Sequence, residues 1–229
     1  MNSVIALLPM KAHSERVQNK NLKLFHIAPL YHAIVKSLLF VDFIKKVVIN
    51  TDSSDITKDV LNNYPNVQII DRPVEIQGDF VSMNKIIEYD LSQLQGEHFI
   101  QTHATNPLLE PETIQKGIEA YFEGLPNYDS LFSVTRLQTR LYWEGGKPVN
   151  HYPSELLRTQ DLPPVFEENS NFYIFSKDSF KRAGNNRIGL NPQMFEVPKL
   201  EAIDIDEPED FVLAETLYKL RKENNESRS

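Results

Sequence analysis

The chain has 229 residues, and 24 lysine and arginine residues against 32 acidic residues give it a formal net charge of -8. This acidity argues against a nucleic-acid or anionic-membrane partner, since both attract basic surfaces. The absence of cysteine excludes disulfides, thiolate nucleophiles and cysteine-ligated metals. The length predicts one domain, and no apolar run approaches the roughly 20 residues of a membrane span. Because the N-terminus lacks a basic region followed by a long apolar core, we expect a cytoplasmic protein without a secretory signal.

Short apolar runs alternate with amphipathic segments along the chain, beginning with a predicted strand from Val4 to Leu8. Further strands are predicted at 46–50, 67–70, 97–101 and 129–135, and helices at 29–40, 80–94, 111–122 and 208–220. Ser53 or Ser54 is expected to cap another helix. This alternation indicates an α/β fold with a mainly parallel sheet.

The loop after the first strand is cationic, although the whole chain is acidic. Lys11, Arg16, Lys20 and Lys23 lie there with a single acid, Glu15. In open α/β sheets, ligands bind beyond the carboxyl ends of the strands. Side-chain cations, hydroxyls and backbone amides at such a place suit a polyphosphate. The alternative is an ordinary solvated loop, since a run of charges is by itself a weak signal.

Two carboxylates near the C-terminus form a second candidate site. Asp204 and Asp206 are two residues apart on a segment that is predicted to be extended, so they share one face. Such a pair suits Mg²⁺, with a phosphate among the remaining ligands. The alternative is an acidic first turn that serves the dipole of the following helix, which fits Glu207 and Glu209 better than Asp204.

Residues 138–166 differ in character from the rest of the chain. Turn formers such as Gly145, Gly146 and Pro148 alternate with the aromatic residues Tyr142 and Trp143. The pattern predicts a hairpin that projects from the sheet. A flexible surface insertion, the alternative, does not explain large apolar side chains that need burial.

Five segments, in order and over nearly the whole chain, resemble those of the acylneuraminate cytidylyltransferase family, the CMP-sugar synthetases. The first loop matches the family's nucleotide-binding signature at Pro9, Ser14, Arg16, Lys20 and Asn21. The other similar segments are residues 72–79 (Arg-Pro-x-Glu-Leu-x-x-Asp in the family), 102–109, 158–163 together with 171–175, and 204–211 (Asp-Ile-Asp-x-Pro-Glu-Asp-Phe).

The first loop departs from the family pattern at several positions. Lys11 stands where the family has arginine, which keeps the charge but loses the bidentate fork. Ala12 and His13 replace two glycines, Glu15 replaces a lysine, and Gln18 replaces a proline. These losses leave open a non-catalytic relative that binds a nucleotide for regulation.

The resemblance implies a Rossmann-like three-layer sandwich of the nucleotide-diphospho-sugar transferase type. It also implies that CTP and a 2-keto-3-deoxy acid sugar react to give a CMP-sugar and pyrophosphate. The implied catalytic residues are Lys20, Lys11 and Arg16; Ser14, Asn21, Arg72 and Ser82 would bind the nucleotide; His103, Arg158, Gln160, Asn171 and Phe172 would bind the sugar; and Asp204 and Asp206 would hold Mg²⁺. His103 and Phe172 are expected to help choose the sugar, because each replaces a family residue near the substrate.

The resemblance further assigns residues 138–166 to a homodimer contact. It leaves the sugar open between eight-carbon and nine-carbon acids. Thr105 stands near the place where the eight-carbon branch carries an additional aspartate metal ligand, and this favours a nine-carbon, sialic-type acid. A metal-dependent glycosyltransferase that uses a nucleotide-sugar donor is the other alternative, although a basic first loop suits a triphosphate better.

Overall fold

The computed structural model of the protein describes residues 2–14 and 16–226. Its strands are β1 (Val4–Met10), β2 (Leu24–Phe25), β3 (Ala28–Pro29), β4 (Ile44–Thr51), β5 (Gln68–Asp71), β6 (His98–Thr102), β7 (Ser130–Leu137), β8 (Val165–Ser176) and β9 (Pro192–Glu196). Its helices are α1 (Tyr31–Leu39), α2 (Ser54–Asn63), α3 (Met83–Gln93), α4 (Pro111–Gly124), α5 (Lys177–Arg182) and α6 (Pro208–Glu226). Within the described residues, none of these helices has the length and apolar character needed to cross a membrane.

Seven strands form one sheet in the order β5-β4-β1-β6-β8-β7-β9. Neighbouring strands pair in parallel except at β8, which is antiparallel to both β6 and β7. The prediction of a mainly parallel α/β sheet is therefore confirmed. The antiparallel β8 was not predicted.

Both faces of the sheet are covered by helices, which confirms the three-layer sandwich. Alternate side chains of β1 enter different clusters: Ala6 and Leu8 pack with α1, α2 and α4, whereas Ile5 and Leu7 pack with α3 and α5. Central parallel strands are buried on both faces, and for that reason β1 reads as a continuous apolar run.

A third, smaller cluster fastens the loop after β1 to α6. Val17 of that loop, Phe25 of β2 and Phe211 of α6 are all buried in it. The rings of Phe25 and Phe211 meet edge to face, with their centroids 5.5 Å apart. Apolar packing therefore holds the cationic loop beside the start of the last helix.

Several element boundaries differ from the sequence prediction. The first helix begins at Tyr31, because Pro29 belongs to β3, which pairs with β2 in a short antiparallel ribbon. The helix predicted from Phe80 begins at Met83, after the exposed Phe80. The predicted hairpin is present as a tight turn in which the Trp143 amide donates to the Lys147 carbonyl at 2.7 Å.

The expectation that Phe172 contacts a substrate is not supported, because its side chain lies in the core. Phe172 is fully buried, and its ring centroid lies 5.7 Å from that of Phe195. A Cβ on Gly117 of α4 would come within 2.7 Å of the Phe172 ring. The glycine is therefore required for the close approach of α4 to β8, and the aromatic ring fills space between helix and sheet.

A buried polar network lies at the carboxyl end of β4. Asn50 donates to the Asp90 carboxylate of α3 at 2.5 Å and accepts from Arg72 Nε at 2.7 Å. Arg72 also donates to the carbonyls of Met10 and Asn50. Burial raises the pKa of Asp90 to about 7, although the hydrogen bond from Asn50 and the charge of Arg72 oppose that shift.

Replacement of Phe172 by alanine is expected to lower the free energy of unfolding by about 3–5 kcal/mol, since it empties a closed interior site. Phe166→Ala on the same strand is the matched control, because its side chain is 38% exposed. Urea unfolding of both variants measures the difference. Equal stability losses would show that the Phe172 site collapses or is not a core site.

The Asp90 carboxyl predicts a specific pH dependence of stability. Because its pKa is higher in the folded than in the unfolded protein, the stability that it contributes is present below about pH 4 and is lost as pH rises through about 7. Asp90→Asn should remove this loss, so its Tm should rise relative to wild type between pH 4 and pH 8. The exposed Asp42→Asn is the control. Parallel Tm curves for wild type and Asp90→Asn would contradict the prediction.

Candidate active site

A cavity of about 350 Å³ opens beyond the carboxyl ends of β1, β5 and β6. The chain runs outward from β1 through β4 to β5 and then returns to place β6 on the other side of β1. The place where the strand order reverses in this way is called a topological switch point. The loops that follow the strands on its two sides diverge and leave a crevice, and ligands of open α/β sheets bind in that crevice. The lining includes the predicted residues Lys11, Ser14, Arg16, Lys20, Asn21, Arg72, His103 and Asp206.

A wider depression of about 770 Å³ lies on the other side of the loop after β1, next to the first turn of α2. Ser53 caps this helix by accepting from the Ile56 amide, as one of the two predicted caps. The depression shares Arg16 and Asn21 with the smaller cavity but is not lined by Lys20, Arg72 or His103. Most predicted site residues therefore converge on the smaller cavity.

The cationic loop is held in place by hydrogen bonds that leave several of its polar groups facing the cavity. The Asp52 carboxylate at the end of β4 accepts from the Ala12 amide at 2.7 Å. Asn21 donates to the Lys11 carbonyl at 3.1 Å and so ties the two ends of the loop together. Asn19 has a φ of 51°, a left-handed conformation that asparagine tolerates better than most residues.

Lys20 has a structural role as well as a charge. Its ammonium group donates to the carbonyl of Ile205, between the two candidate metal ligands, at 2.5 Å. Burial lowers the pKa of Lys20, while the nearby Asp204 and Asp206 raise it. Lys20 thus connects the first loop to the segment before α6, and its charge lies between the cationic and the acidic sides of the cavity.

The other loop cations are paired with carboxylates on the rim. Lys11 lies 2.6 Å from Asp79, and Arg16 lies 2.6 Å from Asp206 and 3.0 Å from Glu207. The hydrogen bond with Lys11 lowers the pKa of Asp79. All of these side chains are about half exposed, so solvent screens each pair and its contribution is small. An incoming anion can therefore replace the carboxylates at small cost.

The two candidate metal ligands, Asp204 and Asp206, differ in environment. Asp204 Oδ1 is buried and has no hydrogen-bond partner among the described residues. Burial raises the pKa of Asp204, a hydrogen bond from Thr105 lowers it, and the charge of Asp206 raises it further. An orphaned carboxylate oxygen beside a second carboxylate fits a hard cation, which takes oxygen ligands. Within the described residues, no group of three or more histidine or acidic residues surrounds a common point, so a cation here needs ligands from elsewhere.

Arg72 and Ser82 have local structural roles. Arg72 lines the cavity, but its described hydrogen bonds go to Asn50 and to the ends of β1 and β4. Ser82 caps α3 by accepting from the Lys85 amide, and only its neighbours Val81 and Met83 line the cavity. The structure therefore gives Arg72 a position from which to support the loops, and it gives Ser82 a capping role.

Four of the predicted sugar ligands do not line the cavity, among them Phe172, which lies in the core. Arg158 and Gln160 are exposed in the segment 138–166, where Arg158 pairs with Asp161 at 2.7 Å. Asn171 is fully buried and donates to the Glu201 carbonyl at 3.0 Å. Of the predicted sugar ligands, His103 alone lines the cavity in this chain.

Gln101, Tyr173 and Arg187 form a polar cluster behind His103 that the sequence analysis missed. Arg187 NH1 donates to Gln101 Oε1 at 2.6 Å, and the guanidinium carbon lies 3.6 Å from the centre of the Tyr173 ring. The only sequence signal was a glutamine that follows the apolar residues Phe99 and Ile100 at the end of the strand predicted at 97–101. Arg187 lies 86 residues away from it in the chain, so only the fold brings the two together.

The comparisons with known proteins agree with this geometry. The cytidylyltransferase family model matches residues 5–227. The pseudaminic acid cytidylyltransferase of Campylobacter jejuni is 23% identical over 96% of this chain and 98% of its own length. The N-acylneuraminate cytidylyltransferase of Escherichia coli is 24% identical over 93% of this chain and 52% of its own length. Among solved structures, a CMP:2-keto-3-deoxy-manno-octonic acid synthetase complexed with CTP superposes with a TM-score of 0.71. The match covers 96% of this chain and 99% of that chain at 12% sequence identity, and it shows that the two share a fold.

The family match spans almost all of the chain and includes every strand and loop that lines the cavity. The matched range contains the first loop, the loops after β5 and β6 and the acidic segment that the structure brings together. This chain belongs to the cytidylyltransferase family.

Proposed function

We propose that the protein transfers the CMP group of CTP to a 2-keto-3-deoxy acid sugar and releases pyrophosphate. The observation that carries this proposal is the convergence of Lys11, Arg16 and Lys20 on one cavity that Asp206 also lines. The buried carboxylate of Asp204, close enough to Asp206 to raise its own pKa, does not line the cavity itself. Cations beside a carboxylate pair are the arrangement expected for a triphosphate that binds together with a cation. The family and the named relatives support CTP as the nucleotide.

Binding of the triphosphate would exchange the partners of the loop cations. Lys11 would leave Asp79, and Arg16 would leave Asp206 and Glu207, for phosphate oxygens. Arginine–phosphate pairs are often bidentate and stronger than exposed pairs with carboxylates. Release of Asp206 from Arg16 would at the same time free its carboxylate for a cation.

The chemistry needs little covalent help from the protein. The anomeric hydroxyl of the sugar would attack the α-phosphorus of CTP, its proton would pass to solvent, and pyrophosphate would leave. Lys20 is placed to balance charge at the reacting phosphate, with Lys11 and Arg16 on the leaving pyrophosphate. Fixed charges of this kind stabilise the transition state without reorganising during the reaction.

Asp204 and Asp206 would hold Mg²⁺ in this proposal. The ion, when bound, would neutralise phosphate charge at the reacting centre. Mg²⁺ commonly uses one or two carboxylates and completes its shell with water and phosphate oxygens. This agrees with a site that offers two carboxylates and, among the described residues, no third histidine or acidic side chain grouped with them.

The proposed sugar is a nine-carbon acid of the sialic type. Thr105 occupies the position next to Asp204 and hydrogen-bonds to it, so no third carboxylate stands there. Relatives named for pseudaminic acid and N-acylneuraminic acid support the same class. The choice among such acids would fall to His103 and to residues that a partner subunit brings.

We also propose a homodimer that is built on residues 138–166. Trp143, Tyr152 and Leu156 on this segment are 64%, 73% and 91% exposed in the single chain. Large apolar side chains clustered on a projecting element mark an interaction surface. A second copy is the partner that would also place Arg158 and Gln160, exposed here, against another subunit.

Lys20→Ala should lower kcat for pyrophosphate release about 10²- to 10³-fold, the usual effect of removing one transition-state donor. Lys45→Ala, an exposed cation on the opposite end of the sheet, is the control. Because Lys20 also fastens the loop, thermal unfolding must show that the variant is folded at the assay temperature. Near-normal turnover by folded Lys20→Ala would remove Lys20 from the mechanism.

Asp206→Asn should abolish Mg²⁺-dependent turnover while changing Tm by less than about 4 °C, because the lost pair with Arg16 is exposed and repulsion of Asp204 is relieved. Glu209→Gln, an exposed acid in the next helix, is the matched control. Turnover is measured against Mg²⁺ concentration, with EDTA as the blank. Full activity in EDTA would refute the metal assignment.

Trp143→Glu should convert the protein from dimer to monomer in light scattering, since a charge would enter the apolar contact. Phe40→Glu, which replaces another exposed aromatic residue at the end of α1, should leave the dimer intact. Wild-type protein that is monomeric at micromolar concentration would end the dimer proposal.

A further inference from the structure

The side-chain amide of Gln101 has only one orientation that satisfies its neighbours. Its Oε1 accepts from Arg187 NH1 at 2.6 Å, and its Nε2 donates to the Thr102 carbonyl at 2.8 Å. Arginine has no acceptor, and a carbonyl has no donor. If the amide were flipped, its NH₂ group would face the N–H donors of Arg187, and its oxygen would face the carbonyl oxygen of Thr102.

This orientation decides the hydrogen bonding of His103. The second hydrogen of Gln101 Nε2 points to His103 Nε2 at 3.1 Å, and Arg187 NH1 approaches the same ring nitrogen at 3.4 Å. Two donors converge on His103 Nε2, so this nitrogen must act as an acceptor and carry no proton. In the neutral ring the proton then resides on Nδ1.

The surroundings hold this arrangement in place. Arg187 stacks on the Tyr173 ring, and the Tyr173 hydroxyl donates to the Glu168 carboxylate and contacts Ser170 Oγ at 3.1 Å. Burial, together with the positive charges of Arg187 and Lys20, lowers the pKa of His103 to about 3. The imidazolium form, which would need an acceptor at Nε2, is thereby disfavoured.

We propose that Gln101 and Arg187 are positioning residues that fix His103 as the neutral Nδ1–H tautomer, and that His103 selects an acceptor oxygen of the sugar substrate. The selection step rests on the proposed function, but the tautomer does not. A histidine held in this way donates from Nδ1 and has its other nitrogen occupied. It therefore recognises a hydroxyl, carbonyl or carboxylate oxygen, and Nε2 does not serve as a general base.

The direct test is ¹⁵N–¹H NMR of ring-labelled histidines, which reports which nitrogen carries the proton. The chain has six histidines, and the signal lost in His103→Gln assigns His103. The expected spectrum shows a protonated Nδ1 and an unprotonated Nε2 that persist from pH 8 to pH 5. A proton on Nε2, or an imidazolium at pH 6, would overturn the proposal even if the enzyme is active.

Variants separate positioning from mere packing. Arg187→Met should release the Gln101 amide, produce a mixture of His103 tautomers and raise KM for the sugar roughly 2- to 12-fold, the range for one neutral hydrogen bond. KM for CTP should stay within about twofold of wild type. Arg187→Lys keeps a donor for Gln101 Oε1 and should largely restore the wild-type tautomer.

Arg182→Met is the matched control, because Arg182 is exposed and pairs with Asp178 on α5. It should leave the NMR signals and both KM values unchanged. An unaltered His103 tautomer in folded Arg187→Met, or equal changes in both KM values, would contradict the positioning role. Absence of turnover with any acid sugar, together with the expected tautomer, would instead contradict the proposed function alone.

Discussion

The pairing of the loop after β1 with the segment before α6 is the interaction on which the site depends. Lys20 donates to the Ile205 carbonyl, Arg16 pairs with Asp206, and the buried Val17 packs in the cluster that contains Phe211. Apolar packing supplies most of this attachment, because the exposed ion pairs are individually weak. A cationic loop and an acidic segment that lie 185 to 191 residues apart in the chain are thus held at one cavity. In our account, the same charges that hold each other in the free protein become ligands for the triphosphate and its cation.

The fold was largely predictable because the sheet is parallel at its centre. Strands buried on both faces read as short apolar runs, and β1, β4 and β6 were found in this way. The edge strand β5, which is only partly buried, was also predicted. The residues of the first loop were predictable because cations that follow the first buried strand stand out in an acidic chain. In addition, the carboxyl ends of parallel strands lie at the same edge of the sheet, where ligands bind. Boundaries were less predictable, since Pro29 suits both the first turn of a helix and the short ribbon in which it lies.

The remaining parts of the site depend on tertiary contacts that no local pattern encodes. Phe172 matched a family segment, but the direction of its side chain depends on the antiparallel β8 and on the space that Gly117 leaves. Ser82 lies in the predicted loop, but its side chain caps the helix that begins there. Arg187 lies in a loop without a recognisable motif, and its importance appears only through its contacts with Gln101 and Tyr173. Sequence therefore located the charges, whereas the structure was needed to find the groups that orient them.

The identity of the phosphorus-containing products tests the central claim most directly. Wild-type protein, CTP, Mg²⁺ and a panel of eight- and nine-carbon keto-acid sugars would be followed by ³¹P NMR. Our account predicts that one or more acids give a phosphodiester CMP-sugar and pyrophosphate in equal amounts, with no signal from a nucleoside diphosphate. In a parallel mixture with a nucleotide-sugar donor in place of CTP, release of a nucleoside diphosphate would indicate a glycosyltransferase. Tight CTP binding without turnover of any acid sugar would contradict the assignment of this cavity as a cytidylyltransferase active site.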